Sequence, residues 1–492
     1  MSDYLLGLPN AATSHQAGGS GFTERLRNGE YSFFLQEDWK VTENLAINAG
    51  LRYEYVQIPL EVNDELASWN FERGTLDFAG RDIPRRIVNP DWNNFGPRLG
   101  FAYTPSFSPK TVIRAGAAIM YGNYRQWEIS LFHFQPPFVY ENFFFNDASS
   151  PRFRTDTLWP AVETDVSKVD FQQVTANYQS PDKVVPLTYQ WNFNIQHEIA
   201  RNLLFEVGYV GNRGARQPNR WDANGARPDA DLSNRTPIQS RRPYQNVGFV
   251  SGNTSQAWSN YNAFNVRLEK RYSAGLTLLS NYTWSKAMGI RGHDNWTVMD
   301  IDNIRINYGP MNDFTHRWIM SYVWDLPFGP GKAFLGDARG LLGHIVGGWQ
   351  TNGIVNLLSG AALSMASPVG NDLGNRAGNR PHRIADGNLA SDSRTVERWF
   401  DTAAFVNPMV GRYGNSGDGV LRGPGLTSFD LSLFKNFVLA ESKTLQFRFE
   451  FFNAFNNVNF NNPSTNTGDA RFGRISGSGP SRAIQVGLKF LF

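Results

Sequence analysis

The last ten residues of the chain, 483–492, alternate strictly. Ile484, Val486, Leu488, Phe490 and Phe492 fall on one face of an extended strand, and Gln485, Gly487, Lys489 and Leu491 fall on the other. An exposed edge of this kind templates aggregation unless it is covered or closed into a barrel. The rest of the chain must therefore supply strands able to pair with it.

Twelve further segments carry the same period. Residues 31–39 and 45–57 flank a short polar turn, and 98–104 and 111–121 flank a tight Pro-Ser-Phe-Ser-Pro-Lys stretch. Segments 188–199 with 203–210, 261–272 with 276–285, and 427–437 with 444–453 also form short-turn pairs. The pair 317–326 and 345–358 is separated by a longer Pro/Gly segment. Between pairs run long polar connections, roughly 58–97, 122–187, 212–260, 286–315, 359–426 and 454–482. Loops beyond about 15 residues are uncommon in compact soluble domains, yet here they occupy every second connection. Short turns alternating with long loops, on strands with one lipid-suited and one water-suited face, predict an all-β antiparallel transmembrane barrel with short periplasmic turns and long extracellular loops. Outward rows ending in Tyr53, Tyr55, Tyr282, Trp284, Trp318 and Trp324 suit aromatic girdles better than a soluble sandwich core. A propeller would need an internal repeat, which the sequence lacks.

Composition narrows the function classes. Aromatics at 14% and 46 glycines suit strands and turns more than helices, and a net charge of +3 from scattered Lys and Arg gives nucleic-acid binding little support. With no cysteine, a disulfide framework, a thiolate metal site and a cysteine nucleophile are all excluded. No apolar run approaches the ~18 residues of a transmembrane helix, and a negative mean hydropathy is compatible with alternating barrel strands. Residues 1–7 lack the charged and apolar regions of an export signal.

Several stretches together resemble a family. Residues 34–54, with Gln36-Glu-Asp-Trp39 and Gly50-Leu-Arg-Tyr53, resemble a barrel hairpin of TonB-dependent outer-membrane receptors. Gly347-Gly-Trp-Gln350, Leu421-Arg-Gly-Pro-Gly-Leu426, Asp430-Leu-Ser-Leu-Phe-Lys435 and Arg448-Phe-Glu-Phe-Phe-Asn-Ala-Phe-Asn456 look like the Oar-like branch. The resemblance covers 31–492 as a receptor barrel domain. It implies a signal peptide, a β-sandwich, a plug and a barrel of about 22 strands, against thirteen or fourteen here. Residues 1–30 are weakly patterned, with room for one further barrel strand around Asp3 to Gly7 but not for a plug. A carboxy-terminal portion of a Gram-negative receptor is therefore expected. The resemblance also assigns Leu488, Phe490 and Phe492 to the signal read by the barrel-assembly machinery.

Chemistry is sparse. His133, His197, His293, His316, His344 and His382 are isolated and read as surface or loop residues, Gly208-x-x-Gly211-x-x-Gly214 lacks a dinucleotide-binding form, and no nucleophile motif is present. No enzyme activity and no cofactor are expected. Asp294, Asp300 and Asp302 could gather around a hard cation, with a solvated acidic loop as the commoner reading. Phe132, Phe134, Phe138, Tyr140, Phe143, Phe144 and Phe145, interrupted by Pro136 and Pro137, could form an apolar ligand contact, with loop packing the commoner reading. Arg52, Glu54, Arg267, Glu269, Arg448 and Glu450 are expected to face a lumen. The expected function is an outer-membrane receptor whose loops capture a solute for uptake or export past a plug energised by TonB. The alternative is a plugless adhesive barrel. Membrane lipid is a partner in both.

Overall fold

The structure is a computed structural model that describes residues 7, 11–18, 21–124, 126–145, 154–157, 161–163, 165–228, 236–290, 298–300, 302–311, 313–368 and 378–492. Thirteen long strands make its wall: β1 (Glu30–Thr42), β2 (Leu45–Val56), β3 (Phe95–Tyr103), β4 (Thr111–Tyr121), β5 (Leu187–Ala200), β6 (Leu203–Asp222), β7 (Val250–Ser273), β8 (Leu276–Ile290), β9 (His316–Asp325), β10 (Trp349–Leu358), β11 (Leu426–Ala440), β12 (Lys443–Phe452) and β13 (Ala483–Leu491). Each pairs antiparallel with its sequence neighbours in one continuous sheet. Among the described residues, β1 pairs only with β2 and β13 only with β12, so the sheet carries two edges.

Register turns the alternation of single strands into two continuous faces. One apolar row crosses eight strands, from Trp39 through Ile47, Phe101, Ala115, Phe193, Tyr209 and Phe264 to Trp284. A polar row on the other face joins Gln196, Glu206, Arg267 and Asn281. Slipping any strand by one residue would exchange the two faces, so this register is strongly specified. The apolar face also fits ring to glycine. A Cβ on Gly211 would stand 2.3 Å from the Trp191 ring, and one on Gly353 would stand 2.3 Å from the Tyr322 ring. Each ring lies across its cross-strand glycine and closes the gap left by the missing side chain.

The short connections are tight. Between β7 and β8, Ala274 and Gly275 both adopt positive φ, 50° and 79°, as a two-residue turn matched to strand twist requires. Between β9 and β10 the sequence reading needs correction. Residues 345 and 346 were expected to begin a strand, but they end a helix, Gly340–Val346. Gly347 and Gly348, the latter at φ 70°, break the chain before β10 starts at Trp349.

Strands β6 and β7 run 20 and 24 residues, about twice the 9–11 needed to span a bilayer. Their far ends project beyond the apolar rows on the loop side. The sequence places the end of β6 near Val210 because the alternation fades there, and it fades because register shifts between Gly214, Gln217 and Asn219 break the period of two. In the amino-terminal segment, Asp3 lies outside the described residues, and Ala11–Ala17 pairs with Val139–Phe145 among the loops instead of joining the wall.

The loops are folded bodies. One apolar core joins Val56, Ile58, Leu66, Val88, Tyr124, Ile129, Phe132 and Val185, and a second joins Trp69, Leu76, Phe171, Ala176, Val247 and Val250. A third, in 359–426, holds Leu363, Met365, Phe400, Phe405 and Leu421. The strand Ala176–Gln179 adds in parallel to the projecting end of β7 and ties the second core to the wall.

Candidate functional site

The loop layer holds closely buried ion pairs. In the first core, Lys183 pairs with Glu128, their side chains 1% and 3% exposed. Tyr124 Oη donates to the Lys183 carbonyl at 3.2 Å, and the Val185 amide donates to Asp91 Oδ2 at 3.0 Å. Burial pushes the Lys183 ammonium below its ordinary value, opposed by the adjacent carboxylate, and burial pushes the Tyr124 hydroxyl up. Arg242 Nη1 reaches Asp222 Oδ2 at 3.1 Å, both nearly closed to solvent. Arg422 donates to the Asp313 carbonyl at 2.7 Å and also pairs with its carboxylate, joining the third loop body to the segment before β9. Sequence reading missed these pairs because partners stand 55, 20 and 109 residues apart, beyond any local spacing.

Among the residues expected to touch ligand, Tyr140 is 4% exposed and its hydroxyl donates to the Glu163 carbonyl. Phe138 packs on the second core and stacks on His133 at 5.5 Å. Phe143 and Phe144 lie in the strand Val139–Phe145, and Phe132 is fully buried. These rings are thus drawn into loop packing where their side chains are described. His133, expected at the surface or in a loop, is a closed loop residue. Its Nδ1 lies 3.0 Å from the Glu65 carbonyl and its Nε2 3.2 Å from that of Gly21.

Of the three aspartates, Asp294 lies outside the described residues. Asp300 Oδ1 accepts from the Asp302 amide at 3.0 Å, and Asp302 pairs with Arg227. Both border a cavity of about 180 Å³ beside Trp221 and Tyr413. Arg227 already supplies the positive charge that a cation would bring. Among the described residues, no group of three or more His, Asp or Glu is arranged to hold a metal.

The six charged wall residues all fall on the face opposite the aromatic rows. Arg52 pairs with Glu54, Arg267 Nη2 reaches Glu269 Oε2 at 2.6 Å, and Arg448 Nε donates to Gln446 Oε1 at 2.6 Å. Glu450 stands in register with Ser432 and Gln485. At the terminal strand, Leu488 faces Phe447 across the ladder on the apolar side, and Phe490 stacks on Phe492 at 5.9 Å.

Comparison with known proteins decides the class. Residues 1–485 match the family described as outer membrane beta barrel domain. The chain belongs to that family. Its wall is an outer-membrane barrel wall, and its localisation is the outer membrane. A groove of about 750 Å³ bordered by Leu99, Ile119, Tyr189, Trp191 and Arg213 lies on the apolar face of this wall. No curated protein matches the sequence. Among solved structures, the chain is similar to the FrpB iron transporter from Neisseria meningitidis, at 10% identity over 95% of this chain and 46% of that one, with a TM-score of 0.43. It is also similar to the outer membrane transporter YddB from Escherichia coli, at 9% identity, 94% and 54% coverage and a TM-score of 0.44. The siderophore receptor PirA from Acinetobacter baumannii gives 10% identity, 94% and 46% coverage and a TM-score of 0.45. The chain spans about half the length of these proteins.

Proposed function

We propose that the chain is wall and loop layer of a TonB-dependent outer-membrane receptor of the Oar-like branch, carrying a scarce solute past a plug. The observation that carries this reading is the loop layer itself. Three apolar cores and buried ion pairs hold long loops in fixed shapes at one end of the barrel wall, which is the preorganisation that ligand capture requires.

The polar wall face supports a filled interior. Asn352 Nδ2, Asn356 Oδ1 and Arg267 Nε are buried there without a protein partner among the described residues, and such groups need water or another polar surface. In this reading Arg52, Glu54, Arg267, Glu269, Arg448 and Glu450 line the lumen. The edges of β1 and β13 pair with further strands, since unpaired backbone cannot face hydrocarbon.

Growth of cells lacking the gene, compared with cells lacking TonB, on ferric chelates, copper complexes, oligopeptides and oligosaccharides tests the proposal. Loss of growth on the same solute in both strains supports it. Loss of surface binding with no change in uptake of any of them overturns it in favour of an adhesive barrel.

A further inference from the structure

The helix Gly340–Val346 reverses the usual amphipathic arrangement. Its inner face is glycine. Gly343 and the following Gly347 are buried against Pro330, and a Cβ on Gly329 would stand 2.3 Å from the Gly347 Cα, so helix and preceding turn touch backbone to backbone. Its outer face is Leu341, Leu342 and Ile345, at positions i, i+1 and i+4, exposed at 77%, 54% and 56%. The preceding turn adds Phe334 and Leu335, also more than half exposed. A helix in water buries its large apolar side chains. This one buries its small residues and presents its large ones.

The location of the helix explains the reversal. Lys435 stands on the apolar face of β11, in register with Trp349 and Phe447. Its ammonium donates to the carbonyls of His344, Ile345 and Gly347 at the helix's C-terminal end and lies 5.0 Å from both the Trp349 and Phe437 rings. Trp349 Nε1 donates to the Ile345 carbonyl at 2.8 Å. A cation at the C-terminal carbonyls of a helix is favourable, and here it clamps the helix to the lipid-facing side of the wall. The exposed leucines therefore continue the belt that Phe437 and Phe447 occupy, on the short-turn side. Lys332, Arg339 and His344 are exposed on the same segment against one acid, Asp337.

We propose that residues 328–347 form an interfacial anchor seated in the phospholipid leaflet on the periplasmic side of the outer membrane. Leu341, Leu342 and Ile345 enter the acyl boundary, and the basic residues meet headgroup phosphates. Lys435 is the positioning residue that holds the helix at that depth.

The chain has no cysteine, so single cysteines report cleanly. Full-length Leu341→Cys and Ile345→Cys, each carrying an environment-sensitive fluorophore, are reconstituted in vesicles of phosphatidylethanolamine and phosphatidylglycerol. Ser442→Cys, in the exposed turn between β11 and β12, is the reference on the same side, and Phe264→Cys, on the apolar row of the wall, marks full lipid contact. Labels at 341 and 345 are expected to be quenched several-fold more by brominated acyl chains than the label at 442, and several-fold less by iodide. Iodide quenching equal to that at 442 overturns the proposal. Shielding from both quenchers overturns it as well, because protein and not lipid would then cover the helix.

Discussion

Lys183 meets Glu128 inside the loop layer, the two side chains almost closed to solvent, although 55 residues separate them. The pair ties the end of the second long connection to a short helix near its start, Gln126–Ser130. Removing one partner leaves the other buried and unpaired, which costs about 3–5 kcal/mol. Lys183→Met is therefore expected to loosen the first loop body by that amount, and Lys183→Met with Glu128→Leu to recover most of it. Amide exchange at Ile129 and Val185 in wild type, single and double variants measures both.

The fit of Trp191 over Gly211 predicts a defect confined to the wall. A side chain at 211 would occupy the space of the indole, and overpacking of this kind costs about 1–3 kcal/mol. Gly211→Val is expected to lower the temperature at which the folded form converts to the unfolded band in electrophoresis. Amide exchange in the third loop body should stay unchanged.

Between the last two wall strands, Asp469 Oδ1 accepts from the Arg471 amide at 2.8 Å, Asp469 also pairs with the Arg471 guanidinium, and Ser464 Oγ donates to Oδ2 at 3.0 Å. These bonds hold its carboxyl down at about 2, below the ordinary 3.8. A depressed carboxyl stabilises the folded loop above its ordinary value and loses that contribution as pH falls through the folded one. Protection of the Arg471 and Gly473 amides, measured relative to their intrinsic exchange rates, should fall between about pH 4 and pH 2 in the wild type. It should already be low in Asp469→Asn at neutral pH.

The thirteen wall strands were legible in sequence because one apolar and one polar face write a period of two into every segment, as in β4, whose bounds 111–121 agree at both ends. Legibility failed where that contrast fails. In the outer half of β6 the register with β7 shifts between Gly214 and Gln217 and again between Gln217 and Asn219, so the ladder continues without a period of two. Ile345 and Val346 carry strand-like chemistry but precede two glycines that let the chain turn. The loop layer was legible only as length. Phe132 and Tyr140 are covered, in line with loop packing as the commoner reading of these rings, but the residues that pack with Phe132, as distant as Val56 and Val185, could not be read along the chain. Ion pairs such as Arg422 with Asp313 depend on which loops meet, and no spacing records that.

The wall is expected to carry its long connections outside the cell and its short turns in the periplasm. Labelling of single cysteines by a membrane-impermeant maleimide in intact cells tests this arrangement most directly. Ser391→Cys lies exposed in the third loop body and Ser442→Cys in the turn between β11 and β12. Ser391→Cys is expected to label in intact cells, and Ser442→Cys only after the outer membrane is permeabilised. Labelling of Ser442→Cys in intact cells, or protection of Ser391→Cys until permeabilisation, would contradict it.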